Sequence, residues 1–101
     1  MRATALLRAL PRLTLYTGGP ECSLCEVAKE ALMELKQKRG LQFELETLNI
    51  REKGMDPSLK KWRRLYQYDI PVLHLNGEQV MKHRVNPDKL EALIRKAGEQ
   101  Q

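Results

Sequence analysis

The chain has 101 residues, which is enough for one domain with a single hydrophobic core and too few for a second. Its composition is globular, with 42% hydrophobic and 31% charged residues and no long Ser, Gly, Gln or Pro tract. Two cysteines are too few for a disulfide scaffold, and a bridge between them would close too short a loop to stabilise the fold by much. Any role of the pair is therefore chemical.

The formal net charge is +5, and the densest basic run is KKWRR at residues 60–64. One aromatic side chain among four cations can form a nucleic-acid surface. The more ordinary interpretation is a solvated helix face with Trp62 turned inward, and it is favoured because a surplus of five charges is modest. We therefore expect no nucleic-acid partner.

The first 11 residues contain two arginines and no acid. We predict a flexible extension over residues 1–11, one domain over 12–98 and a short tail over 99–101. Acid-poor, arginine-containing starts resemble mitochondrial presequences, although this one is short. The expected location is cytoplasmic, with a mitochondrial location as the alternative. The sequence contains no run near the ~20 apolar residues of a transmembrane helix, so we expect no membrane association.

The first half of the chain predicts a strand, a helix and a second strand. The β-rich run at residues 13–17 ends at Gly18-Gly19-Pro20. Apolar residues then recur at helical spacing until cations and Gly40 mark a helix end, which predicts a first helix over residues 22–39. Residues 43–49 predict the second strand. A strand, a helix and a second strand in such close succession form a right-handed crossover, and the two strands are then parallel.

The second half predicts a short helix, a hairpin and a last helix. Asp56-Pro57 is a helix cap that opens the short helix, which runs to Tyr66. Asn76-Gly77 lies between two β-rich runs and is a strong hairpin signal. Asn86-Pro87 repeats the cap and opens a last helix that ends near Gly98. The order β-α-β-α-β-β-α predicts an α/β domain with helices on both faces of a four-stranded mixed sheet.

The two cysteines form a C-x-x-C motif at the predicted junction of the first strand and the first helix. At the first helical residue, Cys22 would lie beside free N–H groups and the positive end of the helix dipole, which favour the thiolate. Cys25 would lie one turn later on the same face, so it could displace a partner held on Cys22 as a mixed disulfide. The motif and the junction together indicate thiol–disulfide exchange.

Two other interpretations of the pair stay open. A zinc site needs two more ligands, and the only histidines, His74 and His83, have the wrong spacing for a zinc finger, so we expect no metal. The cysteines could also be small buried residues, although the exposed start of a helix is an unusual place for them. Glu21 and Glu26 flank the pair, and a carboxylate about 6 Å away opposes the thiolate by roughly 0.7 kcal/mol, about as much as the helix terminus favours it.

Three parts of the chain stand out: LTLYT followed by CSLCEVAKEAL, then YDIPVLHLNG, and finally NPDKLEALI. They resemble the glutaredoxins of the thioredoxin-fold superfamily, in particular a branch of small eukaryotic glutaredoxin-like proteins. The resemblance covers about residues 13–98 and implies a thioredoxin fold. It implies that Cys22 is the nucleophile and Cys25 the resolving cysteine. It also implies that Pro71 follows a cis bond and faces the cysteines, and that Ile70 offers its backbone to an extended glutathione or peptide.

The chain departs from the glutaredoxin pattern at two places. It has no basic residue just before the first cysteine, and KHRVNPD replaces the Gly-Gly-acid stretch that holds glutathione in that family. Arg84 in this segment is a candidate for attracting a substrate carboxylate.

The resemblance and the motif together predict a thiol–disulfide oxidoreductase that serves electron transport and redox homeostasis. We expect no bound cofactor, with glutathione as a candidate reductant. The expected partners are disulfide-containing proteins or glutathione mixed disulfides, and the expected state is a monomer. The alternative is a binding or adaptor module of the same fold with little catalysis.

Overall fold

A computed structural model describes residues 10–19, 21–51 and 57–99 of the chain. The elements in these residues are β1 (Arg12–Thr17), α1 (Ser23–Gln37), β2 (Glu44–Asn49), a 3₁₀ turn (Pro57–Leu59), α2 (Lys60–Tyr66), β3 (Val72–Leu75), β4 (Glu78–Lys82) and α3 (Pro87–Glu99). The predicted order β-α-β-α-β-β-α is confirmed. Most of the predicted extension, the Asp56 cap and the end of the predicted tail lie outside the described residues.

The four strands form one mixed sheet in the order β2-β1-β3-β4. β1 pairs with β2 in parallel, while β3 pairs with both β1 and β4 in antiparallel orientation. α1 makes the crossover between the two parallel strands, as the sequence predicts. β1 and β3 lie in the middle of the sheet, which explains why nearly all of their residues are buried.

Alternate residues of the central strands belong to two separate clusters. Leu15 pairs with Leu73, and Tyr16 pairs with Val72. The first pair belongs to the main core, in which leucines of β1 and β3 pack with buried residues of α1 and α3: Leu13, Leu15, Ala28, Leu32, Leu35, Leu73, Leu75, Leu90 and Ile94. The second pair packs with Cys25, Ile50, Ile70 and half-buried aromatic residues of α2. The period-2 alternation of the strands thus separates the core from a cluster that includes the cysteines.

α1 is shorter than the predicted helix at both ends. It begins at Ser23, because Cys22 has an extended backbone (φ −93°, ψ 101°) and occupies the N-cap. The prediction that Cys22 is the first helical residue is therefore wrong by one position. At the other end α1 stops at Gln37, before Gly40, which has a φ of 66°. The Leu41 N–H donates to the Leu35 carbonyl at 3.2 Å, which closes the helix end around this glycine.

The predicted short helix is divided into the 3₁₀ turn and α2. α-Helical structure starts only at Lys60, and the turn before it is 3₁₀, as is common at helix ends. The Trp62 ring packs on Tyr16 with centroids 5.2 Å apart, so this side chain is turned inward as expected. Within the described parts of the chain, no helix is long and apolar enough to cross a membrane.

The predicted turn and the last helix cap are both present. Asn76 and Gly77 have positive φ values of 51° and 88°, as a type I′ hairpin turn requires. The Asn86 side chain accepts a hydrogen bond from the Lys89 N–H at 3.1 Å, which caps α3, and Pro87 is its first residue.

Candidate active site

The cysteines lie at one edge of the sheet because of its topology. β1 and β2 are parallel, so the residues that follow both strands meet at the same edge. β3 runs antiparallel to β1, so the residues that precede it, Ile70 and Pro71, reach this edge too. The Cys22–Cys25 pair therefore meets the turns before β3 and after β2.

Cys22 and Cys25 form a disulfide in the structure, with a Cα–Cα distance of 5.2 Å. The two residues differ in burial. Cys25 is 0% exposed within the second cluster, whereas Cys22 is only partly buried. A substrate can therefore reach Cys22, while Cys25 is shielded behind it.

The start of α1 holds Cys22 through three hydrogen bonds. The Cys22 N–H donates to the Gly19 carbonyl at 3.1 Å, and the Cys22 carbonyl accepts from the Glu26 N–H at 3.1 Å. The Cys25 N–H donates to Cys22 Sγ at 3.3 Å. A backbone donor directed at this sulfur would stabilise a negative charge on it. Cys22 thus caps α1 through its sulfur, whereas the sequence predicts that Cys22 lies inside the helix.

The glycine pair before the motif allows the turn to pack against the segment that precedes β3. A Cβ atom on Gly18 would lie 2.6 Å from Ile70 Cδ1 and 3.2 Å from the Arg51 side chain. Gly19 has a φ of 83°, and its N–H donates to Thr17 Oγ1 at 3.2 Å. A larger residue at Gly18 would push the Cys22 turn away from Ile70, whereas a Cβ atom on Gly19 would lie 2.7 Å from Asn49 Nδ2.

The Ile70–Pro71 peptide bond is cis, as the resemblance implies. Both residues are buried, and Ile70 lies in the same cluster as Cys25. The Ile70 N–H donates to the Tyr66 carbonyl at 3.1 Å, so this backbone donor is already bonded within the chain. The substrate-binding roles of Ile70 and Pro71 stay predictions.

An open groove of about 370 Å³ lies beside Cys22. Its lining includes Glu21, Leu24 and Ile70, together with Arg51. We did not predict Arg51 from the sequence, although a signal for it exists. Arg51 lies two residues after the end of β2, and β2 is parallel to β1, so its neighbours include the turn that follows β1.

Arg84 lies in a second, smaller groove of about 160 Å³. This groove is lined by Leu24, Val27 and Ala28 of α1 and by the segment after β4. Leu24 also lines the larger groove. The structure thus brings Cys22, Cys25 and Ile70 together and places Arg84 in the adjoining groove. A role for Arg84 in binding a carboxylate stays a prediction.

The two acids that flank the motif have different surroundings. The Glu26 carboxylate forms an ion pair with Lys29 at 3.1 Å. The Glu21 side chain lines the Cys22 groove. Glu21 thus shares a groove with Cys22, where a carboxylate opposes a thiolate.

The chain matches the family model of the glutaredoxin-like domain (DUF836) over residues 12–95. It belongs to the glutaredoxin-like domain family. The fold of this glutaredoxin-like chain is similar to that of oxidised mitochondrial thioredoxin 3 from Saccharomyces cerevisiae, with a TM-score of 0.58, 16% identity and coverage of 92% of this chain and 84% of that one.

Two further solved structures show the same fold. Oxidised thioredoxin O1 from Arabidopsis thaliana has a TM-score of 0.58 and 21% identity, with 87% of the glutaredoxin-like chain and 78% of the other covered. A protein of unknown function from Staphylococcus aureus has a TM-score of 0.57 and 18% identity, with coverage of 86% and 90%. The predicted thioredoxin fold of the glutaredoxin-like chain is confirmed.

His74 of this glutaredoxin-like domain packs among aromatic rings of the cluster that includes Cys25. His74 is 6% exposed and is surrounded by the rings of Tyr16, Trp62 and Tyr66, and its Nε2 lies 2.9 Å from the Tyr66 hydroxyl. Burial lowers the pKa of His74 below its usual value, so the ring is held neutral. In residues 10–19, 21–51 and 57–99, no three His, Cys, Asp or Glu side chains gather as a metal site would require.

Proposed function

We propose that this glutaredoxin-like protein is a thiol–disulfide oxidoreductase, with Cys22 as the attacking and Cys25 as the resolving cysteine. The observation that carries the proposal is the asymmetry of the bonded pair. Cys22 is partly exposed at the N-cap of α1 and accepts the Cys25 N–H, whereas Cys25 is fully buried. The attacking thiolate must be accessible and stabilised, and the resolving cysteine needs only to reach the sulfur of its neighbour.

The proposed reaction has two exchange steps. The Cys22 thiolate attacks a substrate disulfide, forms a Cys22–substrate disulfide and releases the first substrate thiolate. Cys25 then loses its proton and attacks the Cys22 sulfur, which closes the Cys22–Cys25 disulfide and releases the second thiolate. The substrate gains the two electrons that the cysteine pair loses.

An external thiol must then return two electrons to the pair. We propose glutathione for this step, with two molecules converted into one glutathione disulfide. The proposed substrates are disulfide-containing proteins or glutathione mixed disulfides. The proposed compartment is the cytoplasm, with the mitochondrion as the alternative.

The test is a glutathione-coupled assay for reduction of a mixed disulfide by the full-length chain. Cys22→Ser should abolish turnover. Cys25→Ser should form a covalent adduct with one substrate half, which mass spectrometry detects, because the resolving thiol is absent. Wild-type turnover in the Cys22→Ser variant would contradict the proposal, as would the absence of an adduct on Cys25→Ser.

A binding or adaptor module is the second candidate, and the position of Glu21 favours it. A carboxylate in the Cys22 groove disfavours the thiolate and thus slows exchange. In this case the double variant Cys22→Ser/Cys25→Ser should still capture the partner that the wild-type chain captures. Loss of every partner in the double variant, together with turnover by the wild type, would exclude the adaptor.

A further inference from the structure

Among the residues that the structure describes, Arg51 is the cation that lines the same groove as Cys22. It is exposed, lies two residues after the end of β2 and lines the groove together with Cys22 and Ile70. Arg84, the cation that we predicted from the sequence, lines the adjoining groove instead. A substrate held on the Cys22 sulfur in this groove therefore shares it with Arg51 and not with Arg84.

The neighbouring backbone orients the Arg51 side chain. Arg51 Nη2 donates to the Gln67 carbonyl at 2.8 Å, just beyond α2. The Arg51 N–H donates to Asn49 Oδ1 at 2.9 Å. Hydrogen bonds therefore hold both the backbone and the side chain of Arg51. Because the bond to Gln67 holds the long side chain, less conformational entropy is lost when it binds a ligand.

The charge of Arg51 is not neutralised by a carboxylate in the described part of the chain. Glu21 lines the same groove but is not ion-paired with Arg51. Gln67 offers a carbonyl, which accepts one hydrogen bond without cancelling the positive charge. The remaining guanidinium donors suit an anionic oxygen, and a carboxylate is the anion that thiol peptides carry.

We infer that Arg51 binds a carboxylate of the disulfide substrate and makes the site selective for acidic over neutral disulfides. This inference rests on the proposed function, since it concerns what is bound beside Cys22 during exchange. The carboxylate can come from glutathione or from an acidic residue next to a cysteine in a protein. In either case Arg51 acts as a specificity residue and takes no part in the transfer of electrons.

A pair of matched substrates tests the inference. Oxidised N-acetylcysteine and oxidised N-acetylcysteine amide differ only in their carboxylates. The reduced full-length chain is mixed with each, and formation of the Cys22–Cys25 disulfide is followed without added glutathione. We expect the wild type to prefer the acid, and Arg51→Gln to lower the ratio of acid to amide rate constants about fivefold to tenfold. The wild-type ratio should also fall as salt is added, because the cation is exposed.

Three further variants keep the result interpretable. Arg51→Lys keeps the charge and should restore part of the ratio, which a merely structural role would not predict. Arg12→Gln is the matched control, because Arg12 lies at the far end of β1 in an exposed ion pair with Glu44. Its ratio should equal that of the wild type. A ratio that falls in Arg84→Gln and not in Arg51→Gln would overturn the inference.

Two additional substrates distinguish the sources of the carboxylate. Glutathione disulfide represents the first source, and a peptide disulfide with aspartate beside its cysteine, compared with the asparagine peptide, represents the second. A lower rate constant in Arg51→Gln than in the wild type, with glutathione disulfide or with the aspartate peptide, supports the inference. The substrate whose rate constant falls more is the preferred ligand. Wild-type activity on all disulfides with an unchanged ratio in Arg51→Gln would refute the inference and leave the proposed function standing. Failure of the wild type to reduce any of them would refute both.

Discussion

The hydrogen bond between Tyr66 and His74 gives a quantitative prediction. Tyr66→Phe removes only the hydroxyl, which lies 2.9 Å from His74 Nε2. His74 is 6% exposed, so water cannot easily replace the lost partner. The contact from this hydroxyl to Gln79, at 3.5 Å, is too long to contribute much. We expect the free energy of unfolding to fall by about 1 kcal/mol, and Tm to fall by roughly 4–8 °C for a domain of this size.

The measurement uses Trp62, which is the only tryptophan of the chain. Its ring centroid lies 5.4 Å from those of both Tyr66 and His74, so its fluorescence should report on urea unfolding of the cluster. Tyr68→Phe is the matched control, because Tyr68 is 85% exposed and should change stability by less than about 0.5 kcal/mol. Equal stability of Tyr66→Phe and the wild type would refute the reasoning, and so would an equal loss in Tyr68→Phe.

The same cluster predicts a pH dependence of stability. Burial lowers the pKa of His74, so near pH 6 the folded chain binds fewer protons at this site than the unfolded chain. The stability that depends on neutral His74 is fully present above about pH 6.5, the ordinary histidine pKa, and is lost as the pH falls towards the lower folded value. Tyr16 and Tyr66 face His74, and burial raises the pKa of both, so they stay uncharged in this range.

His74→Gln removes the titrating ring and keeps a polar group for Tyr66. Urea unfolding at pH 7.5 and at pH 5 should therefore show a smaller loss of stability on acidification in His74→Gln than in the wild type. A loss of equal size in both proteins would mean that His74 does not cause the pH dependence.

Three further changes test the fold, each by the urea midpoint. Leu32→Ala removes a fully buried side chain of the main core and should cost about 2–5 kcal/mol, whereas a cost below 1 kcal/mol would show a loosely packed core. Asn86→Ala removes the acceptor of the Lys89 N–H and should cost about 1 kcal/mol, so an unchanged midpoint would mean that this cap contributes nothing. Gly77→Ala forces a side chain onto a φ of 88° and should cost roughly 1 kcal/mol, unlike Gly98→Ala in α3, where nothing lies within 4 Å of an added Cβ.

Local residue patterns account for most of the predicted elements. Gly40, Asn76-Gly77 and Asn86-Pro87 each act through the φ values or the hydrogen bonds of their own turn, so they can be read without knowing the rest of the fold. The start of α1 was harder to predict. Cys22 is the cap because its sulfur accepts a hydrogen bond from the Cys25 N–H. Cysteine is not among the residues that are usually found at helix caps, so the sequence does not predict this.

The candidate site was predicted only in part, because some of its residues are distant in sequence from the cysteines. Cys22 and Cys25 are close in sequence, so their spacing and position at a strand–helix junction suffice to indicate their chemistry. Arg51 and Arg84 are distant in sequence from the cysteines, and their positions depend on how β2 and the segment after β4 return to the sheet edge. The sequence predicted the cation in the adjoining groove and missed the one beside Cys22.

The amino-acid sequence by itself determined the element order, the crossover, the hairpin and the cysteine motif. These depend on periodicity, turn residues and short spacing, which are local properties of the chain. The tertiary structure alone decided that Cys25 is buried while Cys22 stays reachable, that the Ile70 N–H is already bonded, and that Arg51 shares the groove with Cys22. These properties depend on strand pairing that brings distant segments to one sheet edge, so they follow from the pairing of the strands and not from the residues adjacent to each position.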